Sequence, residues 1–250
     1  MSNISLLLSI IFTAMSFAQD SPILGCTDPL ACNFDPDAIE CPAEILIYEN
    51  DFESGVNPIQ GWTLSNISSF SDPFFYEPGV IFYNDNNTYI YGPFGNSGNN
   101  SLDNIVSLDL NNLANHNQIM VQFDFYTFCT WDGSGNANGP DAFIFQIDNQ
   151  DVINATFANN PNANQSYPAL NSGSQTGAVQ IDLTPPFNFA LGCNSNNSTM
   201  YSFEETVVHT ASSISLDFIS SGLQAINDES WAIDNIKVFL IGSEDCCVFS

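Results

Sequence analysis

The sequence predicts an all-β protein, a two-sheet antiparallel β-sandwich of the jelly-roll type over residues 43–242, behind a small Cys-rich N-terminal module. Short runs rich in β-branched and aromatic residues are separated by clusters of Asn, Gly, Ser and Pro, and none shows helical periodicity. One run carries Ile119, Val121, Phe123 and Phe125 at every second position, which is the alternation of a strand with one buried face. So many strands of this kind favour two sheets packed face to face.

Each expected strand is an apolar or alternating run bounded by turn-forming residues. Two connections, 130–139 and 158–177, are long for hairpins, which is typical of binding loops or of disordered tips. In chain order, the predicted strands are 44–52, 61–64, 80–83, 88–91, 103–110, 118–128, 141–147, 152–157, 178–183, 200–208, 213–219 and 231–241.

The ends of the chain differ in character from the sandwich. Residues 1–18 read as a secretory signal peptide, because an apolar run is followed by small residues at the cleavage positions. Residues 19–42 are rich in Cys and Asp, and 243–250 form a Cys-containing tail. No later segment is long and apolar enough to cross a membrane, so we expect a secreted protein, extracellular or at the cell surface, with no membrane insertion after signal removal.

The charge balance is extreme: 28 Asp and Glu residues stand against a single basic side chain, Lys237, and the net charge is −27. Nucleic acids and anionic membranes need cationic contacts, so the sequence predicts neither as a partner. Carboxylates that converge in the fold cannot be neutralised by Lys or Arg. They must remain in water, take up protons or bind a metal cation.

Seven acidic residues are candidate metal ligands, and several of them lie in turns next to Gly or Asn, where carboxylate and carbonyl oxygens can converge as they do around calcium (Ca2+). The alternative is that these acids are solvated loop residues. Zinc is not favoured, because the chain has two His and no CxxC pair. The candidate metal ligands are Asp51, Glu53, Asp132, Asp141, Asp228, Glu229 and Asp234.

Among these candidates, Asp234 has the strongest argument from its position in the sequence. Strict alternation along its strand would place it on the apolar face with Ala232, Ile236, Val238 and Leu240, and so inside the protein. A buried carboxylate there indicates a metal ligand, or else a protonated or hydrogen-bonded side chain.

Four aromatic residues near the acidic loops are candidate ligand-binding residues: Trp131, Tyr126, Tyr167 and Trp231. Exposed rings beside metal-ordered loops could stack on sugar rings. The alternative is that they belong to the core, and for Trp231, at the start of a strand, this is the favoured interpretation.

The cysteines fit an exported, oxidised protein, and their odd number leaves at least one unpaired or paired between chains. Cys129 and Cys193 both flank loops and could pair, but spacing leaves the connectivity open. The disulfide candidates are Cys26, Cys32, Cys41, Cys129, Cys193, Cys246 and Cys247. His116 and His209 have no Ser or Cys motif such as GxSxG beside them, so we do not expect an enzyme.

Ordered short motifs resemble known modules. The strands that open and close the sandwich are similar to those of MAM-like and concanavalin-like jelly-roll modules in DFESG (51–55), GW (61–62) and WAIDNI (231–236). The middle resembles secreted jelly-roll modules of bacterial surface proteins in FDFY (123–126), TWDG (130–133), GPD (139–141), SYP (166–168), HTASS (209–213), SGLQ (221–224) and DESW (228–231). The resemblance implies an extracellular sandwich with a calcium site carried by Asp51 or Glu53 together with Asp234.

The N-terminal piece also resembles a known module. GCTDP (25–29) followed by ACNFDPDA (31–38) is similar to a short Cys/Asp module repeated in secreted proteins of marine bacteria. So short a piece needs disulfides or a metal merely to fold, so it is favoured as a spacer rather than a binding site.

The sequence therefore predicts a secreted, calcium-stabilised β-sandwich acting as an adhesion or carbohydrate-binding module at the bacterial surface, with a glycan or a surface protein as its ligand. Two alternatives stay open. A pair of carboxylates could make the sandwich a glycoside hydrolase acting on a neutral polysaccharide. The chain could also be a purely structural surface-assembly subunit.

Overall fold

A computed structural model describes residues 44–58, 60–65, 78–95, 105–135, 138–185 and 198–242. The described part contains fourteen strands and no helix, which confirms the all-β prediction. The predicted signal peptide, the Cys/Asp module and the tail lie outside the described residues. The strands are β1 (Glu44–Asn50), β2 (Trp62–Ser65), β3 (Gly79–Tyr83), β4 (Thr88–Gly95), β5 (Ile105–Asn111), β6 (Gln118–Cys129), β7 (Ala142–Ile147), β8 (Gln150–Thr156), β9 (Asn164–Gln165), β10 (Ser172–Gly173), β11 (Gln180–Leu183), β12 (Ser198–Val208), β13 (Ser213–Ser221) and β14 (Glu229–Ile241).

The strands form two main antiparallel sheets. The larger has seven strands in the order β11-β12-β6-β14-β4-β3, with β1 also paired to β14. The smaller has five strands in the order β2-β5-β13-β7-β8, while β9 and β10 form a separate two-stranded ribbon. Each of the twelve predicted strands matches one of these elements to within a few residues, and the two-residue strands β9 and β10 are additions.

Aromatic side chains from the two sheets interlock to form the core. Phe125 on β6 stacks on Phe143 on β7 with ring centroids 3.9 Å apart. Phe123 on β6 meets Phe218 on β13 edge to face at 5.1 Å. Such pairs add about 0.5–1.5 kcal/mol each beyond the area they bury. The predicted alternation along β6 is confirmed, because Ile119, Val121, Phe123 and Phe125 all belong to this core.

A second apolar cluster covers one part of the outer face of the seven-stranded sheet. It is built from Tyr126 and Phe128 on β6, Met200 on β12 and Ala232 on β14, together with Tyr83 from β3. Tyr83 donates a hydrogen bond to the backbone oxygen of Thr184 (2.9 Å). The outer face of this sheet is therefore partly apolar and buried.

β14 contains a bulge that changes which side chains point inward. Asp234 pairs with Asp124 on β6, but Lys237 pairs with Gln122, so β14 carries one extra residue between these pairs. Asn235, within the bulge, has a φ of 52°. Trp231 and Ile233 precede the bulge in the core.

Ile236, Val238 and Leu240 follow it on the same side, also in the core. The expectation that Asp234 shares their face is wrong, because the extra residue shifts the alternation by one. Asp234 lies on the outer face with Ala232, and it is buried there all the same.

The two histidines meet at one end of the sandwich. His116 Nε2 lies 2.6 Å from His209 Nδ1, and the two rings stack with centroids 4.9 Å apart. His209 Nε2 in turn lies 3.0 Å from a carboxylate oxygen of Asp148. This contact joins three connections between strands, so the imidazoles hold loops together.

Candidate functional site

Three carboxylates converge where both sheets meet. Asp132 follows β6, Asp141 precedes β7 and Glu229 begins β14, so the group joins two strands of the larger sheet to one of the smaller. One carboxylate oxygen from each residue lies within 4.8 Å of the other two. Asp141 and Glu229 are fully buried, and Asp132 is 9% exposed. We call this group the three-carboxylate cluster.

Backbone hydrogen bonds fix the two segments that carry the cluster. Thr130 N donates to Asp228 O (3.0 Å), which ties the end of β6 to the start of β14. Asp141 N donates to Gly133 O (3.1 Å), which closes the loop between Asp132 and Asp141. Asp132 also forms an isolated antiparallel bridge with Ala158 in the second long loop.

A glycine makes this tight loop possible. Gly133 has a φ of 71°, and a Cβ built on it would lie 2.2 Å from Asn164 O. No larger residue fits at that distance, and a positive φ strains other residues as well. The TWDG motif thus places the Asp132 carboxylate and a compact turn side by side.

Within the cluster, hydrogen bonds orient the carboxylates. Asp132 N donates to Asp141 Oδ2, and Asn160 Nδ2 donates to Asp132 Oδ1 (3.2 Å). Gln224 N donates to Glu229 Oε2. The other oxygen, Glu229 Oε1, is buried and has no hydrogen-bond donor among the described residues. A buried carboxylate oxygen without a donor needs a cation or a proton.

The pKa of Glu229 also indicates that its carboxylate needs a proton or a cation. Burial and the neighbouring Asp141 carboxylate together raise the pKa of Glu229 to about 9, although the Gln224 N–H opposes the shift. No Arg is present in the chain, and the single Lys, Lys237, pairs with Glu49 at 3.0 Å. Glu229 therefore holds a proton at neutral pH unless a metal ion takes its place.

The donor set fits a hard cation. Oxygens that share a Ca2+ ion at about 2.3–2.6 Å lie at most about 5 Å apart, and these carboxylate oxygens lie within 4.8 Å of each other. The group supplies oxygen ligands and neither imidazole nor thiolate, which disfavours zinc. Asp132, Asp141 and Glu229 are thus the residues that could hold a metal.

Asp228, another predicted ligand, lies beside the cluster, and its carboxylate contacts the Thr130 side chain. Its Oδ1 accepts a hydrogen bond from Thr130 Oγ1 (2.6 Å). Its charge adds to the elevation of the Glu229 pKa. Asp228 therefore secures the junction between β6 and β14.

The other three predicted ligands lie elsewhere. Asp51 is exposed, and its Oδ1 accepts a hydrogen bond from Glu53 N (3.1 Å). Glu53 and Asp234 approach each other through the Thr88 hydroxyl, which lies 2.6 Å from Glu53 Oε1 and 3.3 Å from Asp234 Oδ2. The structure thus brings Glu53 close to Asp234, as the resemblance implied, but not to the three-carboxylate cluster.

Asp234 is stabilised by neighbouring donors. Asn235 N donates to its Oδ1 (2.7 Å). Burial, with a smaller contribution from the facing Asp124 carboxylate, nevertheless raises the pKa of Asp234 to about 8. Asp234 is therefore hydrogen-bonded, in line with one of the two interpretations from the sequence, and its role as a metal ligand stays a prediction.

The predicted aromatic platform is not formed by the four named residues. Trp131 and Trp231 are fully buried and Tyr126 is 1% exposed. Tyr167 is half-buried and packs on Phe157 at 5.1 Å. The Trp131 indole N–H donates to Ser230 O (2.9 Å), inside the protein. Trp131 and Trp231 belong to the core between the sheets, and Tyr126 belongs to the outer apolar cluster.

Several residues that support the site were not predicted from the sequence. Asn159 in the second long loop donates through Nδ2 to Cys129 O (2.9 Å), and its N–H donates to Trp131 O (2.8 Å). Asn160 bonds directly to Asp132. The only sequence signal was the unusual length and Asn content of this loop, which is ordered against β6.

Cys129, at the end of β6, is buried and disulfide-bonded. The other six cysteines lie outside the described residues, so the predicted pairing with Cys193 stays a prediction. Within the described part of the chain, no helix is long and apolar enough to cross a membrane.

Comparison with known proteins finds distant structural likenesses. The sequence matches no protein-family model and no curated protein sequence. The mannan-recognising carbohydrate-binding module TmCBM27 is 13% identical with a TM-score of 0.38, over 80% of this chain and 99% of that one. A cleaved adhesin domain of Lys-gingipain from Porphyromonas gingivalis is 12% identical with a TM-score of 0.37, over 78% and 99%.

A further likeness concerns a much longer protein. Dimeric latent PorU from Porphyromonas gingivalis is 10% identical with a TM-score of 0.35, over 60% of this chain and 11% of PorU. The chain thus spans about a tenth of that protein's length. Since all of these TM-scores lie below 0.5, the fold assignment rests on the strand pairing described above.

Proposed function

We propose that this chain is an exported β-sandwich module stabilised by a calcium ion, and that it acts in adhesion or carbohydrate binding at a bacterial surface. The three-carboxylate cluster is the observation that carries the proposal. It combines buried oxygen ligands with a sequence that has no spare basic side chain to neutralise them. Calcium would supply the missing positive charge and would clamp the two sheets together.

Glu229 supports a metal in particular. Its Oε1 is buried without a donor among the described residues, and its neighbours in the cluster are themselves acidic. In the absence of a metal, the cluster has to take up protons to remain inside the protein. Calcium binding would replace the proton on Glu229 and remove the repulsion between the carboxylates.

Binding is favoured over catalysis because the converging acids are inaccessible. Asp141 and Glu229 are fully buried, so a polysaccharide cannot reach between them as glycoside hydrolysis requires. His116 and His209 are also buried and contact each other. Within the described part of the chain, the groups best placed for acid–base chemistry are enclosed in the structure.

Thermal unfolding of the purified protein tests the proposal. Extracellular calcium sites have dissociation constants of about 10⁻⁴–10⁻³ M. Calcium at about 100 times the dissociation constant stabilises a protein by about 2.7 kcal/mol. For a domain of this size, that corresponds to a rise in Tm of about 5–10 °C over the protein in chelator. Equal melting curves in chelator and in calcium would overturn the proposal.

A further inference from the structure

A groove of about 350 Å³ crosses the outer face of the seven-stranded sheet. Its volume falls in the range of about 300–1,000 Å³ that is usual for ligand sites. It spans three adjacent strands, β14, β6 and β12, beyond the apolar outer cluster. The polar side chains that line it are Gln122, Asp124, Ser202, Glu204, Asn235 and Lys237.

Hydrogen bonds between neighbouring strands already order these side chains. Gln122 Nε2 donates to Glu204 Oε2 (2.8 Å), and Asn235 Nδ2 donates to Asp124 Oδ2 (2.8 Å). Ser202 Oγ donates to the other Asp124 oxygen. Little side-chain freedom would be lost on binding, which favours affinity.

The β14 bulge gives the groove one of these groups. The extra residue turns the exposed Asn235 onto the outer face next to Lys237. Without the bulge, strict alternation would place both residues on the opposite face from Asp234. The same irregularity that displaces Asp234 from the core therefore also builds the groove.

The lining combines acceptors and donors without much positive charge. A carboxylate can accept about four hydrogen bonds, and each amide carries two N–H donors beside an acceptor oxygen. Hydroxyl groups that both donate and accept match such a mixture. The single ammonium group, Lys237, already pairs with Glu49, and the net charge of −27 repels anions.

We infer that this groove binds a short segment of a neutral glycan, with Asp124 and Glu204 accepting from sugar hydroxyls and the two amides bridging neighbouring ones. The inference rests on the proposed function, since it locates the carbohydrate-binding face of the proposed module. It places that face about 20 Å from the metal cluster, because Asn235 is six residues along β14 from Glu229. Calcium is therefore not one of the groups that contact the glycan.

Affinity electrophoresis identifies the ligand class. Native gels would contain a neutral glucan, mannan or xylan, or the anionic polysaccharide polygalacturonate. We expect retardation in at least one neutral gel and none in the anionic gel. Retardation in the anionic gel alone would overturn the inference. The retarding polysaccharide, as oligosaccharides, then serves as the probe in calorimetry.

Two double variants locate the site on that probe. Gln122→Ala with Glu204→Ala removes an amide–carboxylate pair from the groove. Gln146→Ala with Asp151→Ala removes a similar cross-strand pair, with a hydrogen bond of 2.7 Å, from the five-stranded sheet. We expect the groove variant to weaken binding about tenfold or more, and the control less than about twofold. Equal melting temperatures would show that both variants are folded.

The outcomes separate the two proposals. Unchanged glycan binding in the groove variant, or equal losses in both variants, would overturn the groove as the site and leave the proposed function standing. No retardation of the wild-type protein by any of the polysaccharides would count against the groove and against the carbohydrate-binding part of the proposed function. The calcium-dependent rise in Tm would still report on the metal site alone.

Discussion

Glu229 is the residue on which the metal assignment most depends. Glu229 is the first residue of β14 and is fully buried, with its carboxylate close to other acids. One of its carboxylate oxygens has no hydrogen-bond donor among the described residues. Burial raises its pKa to about 9. The metal-free protein therefore contains a buried, protonated acid that a calcium ion would convert into a ligand. A substitution of Glu229 should therefore affect stability in calcium and stability in chelator differently.

We expect Glu229→Gln to abolish the calcium-dependent rise in Tm without lowering the Tm in chelator. The amide resembles the protonated acid in shape, and it cannot repel Asp141. Differential scanning calorimetry in chelator and in calcium provides the measurement. Asp109→Asn is the control, since Asp109 is exposed on β5 away from the cluster. A calcium response that survives in Glu229→Gln would exclude Glu229 as a ligand.

Asp234 allows a pH prediction of its own. Its pKa is about 8 in the folded protein, against 3.8 for an unperturbed Asp. Between these pH values the folded state holds a proton that the unfolded state has released. The folded state is thus favoured at low pH, and the stability that this proton contributes is lost as the pH rises toward 8.

Comparison with Asp234→Asn isolates this proton. The free energy of unfolding of the wild type, minus that of the variant, should fall by up to about 1.4 kcal/mol per pH unit between pH 5 and 7. Urea unfolding in chelator at several pH values measures the difference, because Glu229 then contributes equally to both proteins. A difference that stays constant, or rises, with pH would show that Asp234 is ionised in the fold.

At the scale of the strand, β14 shows what alternation can and cannot predict. The strand itself was predicted almost to the residue, and so was the burial of Asp234. The predicted face of Asp234 was wrong because the register of β14 shifts by one residue. This shift occurs where the strand paired with β14 on one side changes from β4 to β1. A bulge of this kind depends on neighbouring strands that are distant in sequence, and Asn235 gives no local signal as strong as Gly.

The loops that carry the three-carboxylate cluster show the same limit of prediction from local sequence. The TWDG and GPD motifs identified Asp132 and Asp141 as candidates, and DESW identified Glu229, but nothing in their spacing selected these three from seven acids. Their convergence depends on β6, β7 and β14 meeting at one end of the sandwich. The platform prediction failed at Trp131 for a related reason, since the indole at the start of this loop is buried in the core, whereas the core interpretation that was favoured for Trp231 is confirmed.

The loop between β6 and β7 offers a matched pair of glycines. Gly133→Ala would place a methyl group 2.2 Å from Asn164 O at a positive φ, whereas a Cβ at Gly135 meets nothing within 4 Å. We expect the first change to cost about 1–3 kcal/mol and to weaken calcium binding, because Asp132 and Asp141 flank the distorted turn. The second should cost less than about 0.5 kcal/mol. Urea unfolding and calcium titration of both variants provide the measurement, and similar losses in the two would contradict this view of the turn.

For the whole molecule, the sandwich could be predicted because its strands repeat one strong pattern, apolar residues at alternate positions between turn residues. The core confirms it, since Phe123 and Phe125 from one sheet pack on Phe143 and Phe218 from the other. The acidity has a structural reason at this scale as well. A chain with one Lys that closes the junction between its sheets with carboxylates has to neutralise them with protons or with a cation from the medium.

The layout of the sandwich separates the three-carboxylate cluster from the proposed ligand face. The cluster lies at the ends of β6 and β14, while the groove lies about 20 Å along the same strands, with rigid sheet between them. We therefore expect chelation to lower the Tm but to leave the affinity for the retarding glycan within about twofold, at temperatures well below the lower Tm. Calorimetry with the oligosaccharide in chelator and in calcium measures this. Loss of glycan binding in chelator, while circular dichroism still shows a folded protein, would show that the glycan site depends on calcium and would contradict this separation.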